Sequence, residues 1–315
     1  MKRLSTVLFA LALLLPAGSA LAKDYVIAVS QIVEHPALDA MRQGFKDELK
    51  DKGLAAAYRE YNAQGSMDLA IQIASQILGD KPDLVMTIAT PTSQAVAQKV
   101  KDIPVLFTGV TDPVAAGLVK SLESPGANIS GMTDKSPVDR QVALILEVMP
   151  KLKRLGYVYN AGEANSVVSF EQAKAECQKH GVSVVPSTIA NSSEVYAAAK
   201  SLVGNCEAVF IPTDNTVVSA LESLIKVCEE AKLPLFASDT DSVARGAVAA
   251  LAIDYYRMGR QTGQMAERIL VKGEKPAAMP VETLKDLQLY VNAKAAGRMG
   301  LTVPQAVTGR ADKVF

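Results

Sequence analysis

Leu84-Val-Met-Thr-Ile-Ala-Thr90-Pro-Thr-Ser-Gln94-Ala-Val-Ala97 reads as a buried strand, a polar turn and a helix. The apolar run Leu84–Ala89 is too short for a helix and suits a central parallel strand. Pro91 biases Thr90 away from the α region, which ends the strand. A Thr or Ser of the turn can then cap the next helix. Such a turn sets hydroxyls and free backbone N–H groups at a helix N-terminus, where an anion is stabilised.

The turn has an echo at Ala208-Val-Phe-Ile-Pro-Thr213-Asp214-Asn215-Thr216-Val-Val-Ser-Ala220. Working outward from both, strand and helix patterns alternate throughout, the signature of a doubly wound parallel sheet. Expected strands are Tyr25–Ser30, Ala55–Tyr61 and Ile103–Phe107, then Leu155–Tyr159, Val182–Pro186, Ala208–Ile211 and Leu233–Phe236. Ser66 is expected to cap one helix, and Ser192 or Ser193 another. Ile103-Pro-Val-Leu-Phe107 matches Leu233-Pro-Leu-Phe236, and Thr111-Asp112 matches Asp239-Thr240-Asp241. One α/β unit is therefore used twice, and the fold expected is two doubly wound lobes.

The chain begins with a basic Met1-Lys2-Arg3, an apolar Val7–Pro16 and a small-residue Ala20-Leu21-Ala22. This is the pattern of a cleavable signal peptide over residues 1–22, so export to the periplasm is expected. Without Lys2 and Arg3 the mature chain has 31 basic against 33 acidic residues, a formal charge of −2. That balance offers no argument for nucleic acid as a partner. Three cysteines, Cys177, Cys206 and Cys228, leave at least one outside any intrachain pair. Cys177–Cys206 is the pair to test, against three small buried side chains.

Ligands of open α/β sheets bind beyond the carboxyl ends of the strands. In the first half those loops carry Ser30, Gln31, Glu34, His35, Thr90, Thr92, Ser93, Thr111 and Asp112. In the second half Asn160, Asp214, Asn215 and Asp239 are the ligand-binding candidates, and Glu163, Asn165, Ser166 and Thr213 share their loops. An uncharged hydroxyl turn suits an anion, and Asp214 with Asp239 or Glu34 suits a cation. A zwitterion such as an amino acid fits that division. Each residue also reads as a plain cap or turn former. Tyr255 and Tyr256 begin a late helix and read as core, with the cleft as the alternative. No G-x-S-x-G, P-loop, H-E-x-x-H or G-x-G-x-x-G occurs, so no catalytic residue, metal or cofactor is expected.

Ile88-Ala-Thr-Pro-Thr-Ser93, Asn128-Ile-Ser-Gly-Met-Thr133, Pro212-Thr-Asp-Asn-Thr216, Phe236-Ala-Ser-Asp-Thr-Asp241 and Gly259-Arg-Gln-Thr-Gly263 recur in order along the mature chain. They resemble the ABC transporter substrate-binding family typified by the TrpX tryptophan-binding proteins. The resemblance implies a type I periplasmic binding protein fold with three crossovers and a ligand in the cleft. Asn128–Thr133 should then lead into the first crossover and Leu251–Asp254 sit at the second. The expected lobes are 23–132 with 254–284, and 133–253 with 285–315. The implied function is delivery of an amino acid, aromatic or otherwise apolar, by a monomer to an ABC permease in the membrane. A secreted hydrolase using His35 as base and a ligand-sensing subunit of a membrane receptor are the alternatives.

Overall fold

Short apolar runs between polar turns build the two sheets. The computed structural model describes residues 24–315, and the expected signal peptide lies outside the described residues. The first lobe begins β1 (Tyr25–Gln31), α1 (Pro36–Asp51), β2 (Ala56–Asn62), α2 (Met67–Asp80), β3 (Leu84–Ile88), α3 (Thr90–Lys99), β4 (Val105–Val110) and β5 (Ile129–Thr133). The second follows with α4 (Val138–Val148), β6 (Arg154–Asn160), α5 (Ala164–Lys179), β7 (Ser183–Ile189), α6 (Val195–Leu202) and β8 (Ala208–Ile211). It continues through α7 (Asn215–Ser219), α8 (Leu221–Ala231), β9 (Leu235–Ala237), α9 (Thr240–Arg245) and β10 (Ala249–Ala252). The tail comprises α10 (Tyr255–Leu270), β11 (Glu282–Thr283), β12 (Gln288–Val291), α11 (Ala293–Arg298), α12 (Gln305–Thr308) and β13 (Lys313–Val314).

The first sheet runs β2-β1-β3-β4-β5-β11 and the second β7-β6-β8-β9-β10-β12-β13. Both keep the 2-1-3-4-5 order of doubly wound folds, so the repeat in the sequence is a repeat in space. All pairings are parallel except β10 with β12. Each sheet has its own apolar core, one around Met41, Phe45 and Phe107, the other around Tyr157, Phe210 and Phe236. The chain passes between sheets after β5, after β10 and after β11. The two doubly wound lobes are those the repeated pattern predicts, and the three crossings between them are those of the type I periplasmic binding protein fold that the resemblance implies.

Two of the recurring motifs are explained by backbone approach. In Asn128–Thr133, Gly131 has φ +158°, and a Cβ there would sit 1.9 Å from the Phe107 carbonyl oxygen. The β4–β5 register shifts at that point. Asn128 Nδ2 donates to the carbonyls of Val100 (3.1 Å) and Ile103 (2.6 Å), and Ser130 Oγ to that of Met279 (2.7 Å). In Gly259–Gly263, a Cβ at Gly259 would meet the Met41 carbonyl oxygen at 2.0 Å, and one at Gly263 the Glu48 Cβ at 2.6 Å. Helices α1 and α10 therefore touch backbone to backbone, and only small residues permit it. Arg260 between the two glycines reaches buried Glu48 at 2.7 Å and Asp51 at 2.6 Å.

Some local expectations need correction. Ser66 does cap α2, its Oγ accepting from Leu69 N at 3.2 Å. Neither Ser192 nor Ser193 caps the next pattern, because Asn191 takes that role with Oδ1 on Ser193 N. The Cys177–Cys206 pairing does not occur: all three cysteines are free and buried. Burial holds the thiols of Cys177 and Cys206 at about 11 and that of Cys228 at about 12. They behave as small apolar side chains in the second core.

Candidate functional site

In a 2-1-3-4-5 sheet the crevice opens where the chain reverses direction, between the first and third strands. Here that means the loops after β1 and β3 in one lobe and after β6 and β8 in the other. The two crevices face each other; the starts of α1, α5, α7 and α9 line the space between them, and the start of α3 lines an outer groove through Pro91 and Gln94.

On the first lobe the decisive turn is built differently from the sequence expectation. Helix α3 starts at Thr90, so its N-cap is Ala89, and no side chain caps it. Thr92 Oγ1 bonds back to the Ile88 carbonyl (2.7 Å) and Ser93 Oγ to the Ala89 carbonyl (2.7 Å). Thr87 and Ser93 share a further hydroxyl bond of 2.8 Å. These hydroxyls lock the turn onto β3, and neither Thr92 nor Ser93 lines the cavity between the lobes. The first-turn N–H groups of Thr90 and Thr92 have no i−4 partner in the helix. Ala89 holds φ +77° and ψ 161°, a region that normally only glycine occupies, at a cost of roughly 1–3 kcal/mol. Strain of this kind at a helix start is a mark of a working site. Thr90 Oγ1 is buried without a partner.

On the second lobe the equivalent turn is closed by acids. Asp214 caps α7, with Oδ1 on Val217 N (2.8 Å) and Oδ2 on Asn160 N (2.6 Å). Asp239 caps α9, with Oδ1 on Ser242 N (2.7 Å) and Oδ2 on Ser242 Oγ (2.6 Å). Glu163 is buried and collects N–H and hydroxyl donors from Asn215 and Thr216 and the amide of Asn165. Asn165 Nδ2 also reaches the Thr213 carbonyl at 2.8 Å, leaving its Oδ1 buried and unpartnered. Burial, then the charge of Glu163, pushes the Asp214 carboxyl up to about 7. Burial raises Asp239 in the same direction.

Between the lobes lies a cavity open to solvent, with ≈ 350 Å³ of atom-free space, mouth included. Of the expected residues it takes in His35, Thr111, Asp214, Asn215 and Asp239. His35 is the N-cap of α1, and neither ring nitrogen has a well-formed hydrogen bond. Burial, then the charge of Arg245, lowers it to about 3 despite Asn215 alongside, so the ring is a neutral imidazole.

The cavity also takes in residues outside the candidate set: Asp134, Asn165, Thr213 and Tyr255. Asp134 follows β5 directly, in the first crossover. Its Oδ1 accepts from Thr111 Oγ1 (3.0 Å) and its Oδ2 from Tyr255 Oη (3.3 Å), and burial raises its carboxyl. Tyr255 thus serves core and cleft together. An acid directly after the Asn128–Thr133 motif, at the crossover the resemblance implies, was the signal available in the sequence.

Other expected residues fall elsewhere. Glu34 is exposed, and the Asp112 carboxylate closes its own turn on the N–H groups of Val114 and Ala115. Gln31 Nε2 ties the Val33 carbonyl and Asp39, while Ser30 Oγ is buried and unpartnered on β1. Asn160 lines a second, open groove farther out, with Ile32, Met67 and Pro91 opposite. Among the described residues no cluster of His, Cys, Asp or Glu is arranged to hold a metal, and no helix is long and apolar enough to cross a membrane.

Comparison with known proteins places this geometry. Residues 26–315 match the family model described as ABC transporter substrate binding protein. A tyrosine-binding protein of Clostridioides difficile is 40% identical over 278 residues, covering 86% of this chain and 79% of that one. A Streptococcus pneumoniae ABC domain in complex with L-Trp superposes with a TM-score of 0.88 at 33% identity, over 92% of this chain and 100% of that one. The ligand-free, open structure of a Clostridium difficile substrate-binding protein gives only 0.69 at 39% identity, over 92% and 99%. The better superposition runs against the order of sequence identity. It agrees with the contact between the lobes here, where Thr111 Oγ1 and Thr213 Oγ1 stand 3.3 Å apart.

Proposed function

The chain belongs to the ABC transporter substrate-binding protein family, and from that premise we propose that it binds an aromatic amino acid and delivers it to an ABC importer. Family members are solute-binding proteins rather than enzymes, and they work outside the cytoplasm. The observation that carries the ligand class is the contrast between equivalent turns. In the first lobe α3 is uncapped and offers N–H groups. In the second lobe α7 and α9 are capped by Asp214 and Asp239. A carboxylate is stabilised at the uncapped helix start, which borders the neighbouring outer groove through Pro91 and Gln94. An ammonium is stabilised against the acidic wall of Asp134, Asp214 and Asp239. A zwitterion spanning the two draws the lobes together, which is the hinge closure by which such proteins signal occupancy.

The aromatic side chain is supported by relatives: one is named for tyrosine and one holds L-Trp. The units that move are proposed to be 23–132 with 254–284, and 133–253 with 285–315. Export by cleavage after residue 22, a monomeric state and docking on a permease complete the proposal.

A thermal-shift screen of the mature protein against the twenty amino acids tests it. Binding to the folded state alone raises the melting temperature by mass action, by about 2.7 kcal/mol of stability at a hundredfold excess over Kd. L-tyrosine, L-tryptophan or L-phenylalanine should give the largest shift. If none of the twenty shifts the melting temperature, the amino-acid assignment is wrong.

A further inference from the structure

We infer that Asp134, the first residue of the crossover after β5, is the acceptor for the cationic group of the ligand. The inference deepens the amino-acid reading above and rests on it.

Three aspartates line the cavity, and they are not equivalent. Asp214 and Asp239 are helix caps whose two oxygens each already hold a donor, three of the four donors being backbone N–H groups. Turning either carboxylate toward a ligand would uncap α7 or α9. Asp134 caps no helix. Each of its oxygens holds one hydroxyl, from Thr111 and from Tyr255. A carboxylate accepts about four hydrogen bonds, so roughly half its capacity is open. Both hydroxyls belong to residues that line the cavity themselves and can rotate without breaking secondary structure.

Charge supports the same choice. Asp134 is buried, at 6% exposure, and forms no ion pair with Lys, Arg or His among the described residues. A buried carboxylate without a cation is costly unless something supplies one. The residue also stands at the junction of the moving parts. Thr111 touches Thr213 of the other lobe, and Tyr255 starts α10 directly after the second crossover. A cation received at Asp134 is therefore held where both lobes meet.

Calorimetric titration with L-tyrosine and with its desamino counterpart, 3-(4-hydroxyphenyl)propionate, tests the assignment. Wild-type protein should prefer L-tyrosine. Asp134→Asn should lose roughly 30-fold or more in affinity for L-tyrosine, the usual loss when one partner of a buried charge pair is removed. Its affinity for the desamino compound should be unchanged. Asp214→Asn should lower the melting temperature by uncapping α7 and should cost less of the preference than Asp134→Asn. Should Asp134→Asn not fold, the double variant Asp134→Ala/Tyr255→Phe removes carboxylate and hydroxyl together and serves the same comparison. Retained preference, or equal loss for both compounds, would show that Asp134 is only structural. Wild-type protein that binds neither compound, nor L-tryptophan or L-phenylalanine, would instead overturn the aromatic amino-acid reading.

Discussion

Thr111 and Thr213 meet across the cleft with their hydroxyl oxygens 3.3 Å apart. Thr111 has one proton to give, and at 3.0 Å the Asp134 carboxylate, which only accepts, takes it. Thr213 must then donate to Thr111, giving a polarised chain from the second lobe through the first into the hinge. The contact joins residues 102 positions apart, one from each lobe.

Replacing Thr213 by Val removes this bond while keeping the shape. One hydrogen bond contributes about 0.5–1.5 kcal/mol, so ligand affinity should fall roughly 2- to 12-fold. Calorimetry measures the loss. Small-angle scattering should show a larger open fraction without ligand, and an unchanged open fraction would remove Thr213 from the closing mechanism.

Stability of the ligand-free protein should depend on pH through Asp214. Burial and the charge of Glu163 push its folded carboxyl from the ordinary 3.8 up to about 7. The folded state then binds the proton more tightly than the unfolded one. This contribution favours folding at low pH and is lost as pH rises from about 4 toward 7. His35 acts in the opposite sense. Lowered from 6.5 to about 3, it favours folding above about 6.5 and loses that contribution as pH falls. Differences between variants separate the two. From pH 8 to pH 5, wild type should gain stability relative to Asp214→Asn and lose it relative to His35→Asn. Melting curves across that range decide, and a pH-independent gap for either variant contradicts its assignment.

Ala89→Gly should behave unlike an ordinary helix-start substitution. Ala89 is strained at φ +77°, whereas Ala95 sits in the regular interior of α3. Ala95→Gly should cost about 1 kcal/mol from propensity alone. Ala89→Gly should be neutral or stabilising, because roughly 1–3 kcal/mol of strain is relieved. Urea titrations compare the two directly. An equal cost at both positions would mean that Ala89 carries no strain.

Gly259→Ala should be severely destabilising. Its new methyl would lie 2.0 Å from the Met41 carbonyl oxygen, which belongs to helix backbone and cannot step aside. Overpacking of this kind costs about 1–3 kcal/mol and occasionally more. Gly297, which has open space around it, is the control.

The three thiols should be silent in the native state. All are free and buried, and burial keeps them protonated at neutral pH. A thiol reagent should label none in buffer and all three in denaturant, and reductant should leave the melting temperature unchanged.

Much of the fold was legible because its signals are local. The run Leu84–Ile88, bounded by Thr90-Pro91, is a strand wherever it is placed, and every residue of it is buried. The twofold use of one pattern announced two sheets of the same strand order. The motif Gly259–Gly263 was legible as a recurrence but not as a cause, since the carbonyl it makes room for belongs to Met41, more than 200 residues away. Capping was misread at Thr90–Ser93 for a similar reason. The hydroxyl types suit a cap, but whether they face the helix start or the strand behind it depends on the backbone angle of Ala89.

The sequence by itself determined the strand and helix order, its repetition, and the asymmetry between a hydroxyl-bearing turn and an acidic one. Those follow from short-range sterics, proline geometry and side-chain chemistry. Only the tertiary structure decided which polar groups are spent and which are open. It turned Thr92 and Ser93 back onto β3, committed Asp214 and Asp239 to helix ends, and brought Asp134, Thr111 and Tyr255 together from three distant segments. A hydrogen bond has one donor and a limited number of acceptor positions. What a polar side chain can offer a ligand is therefore fixed only after its neighbours in space have taken their share.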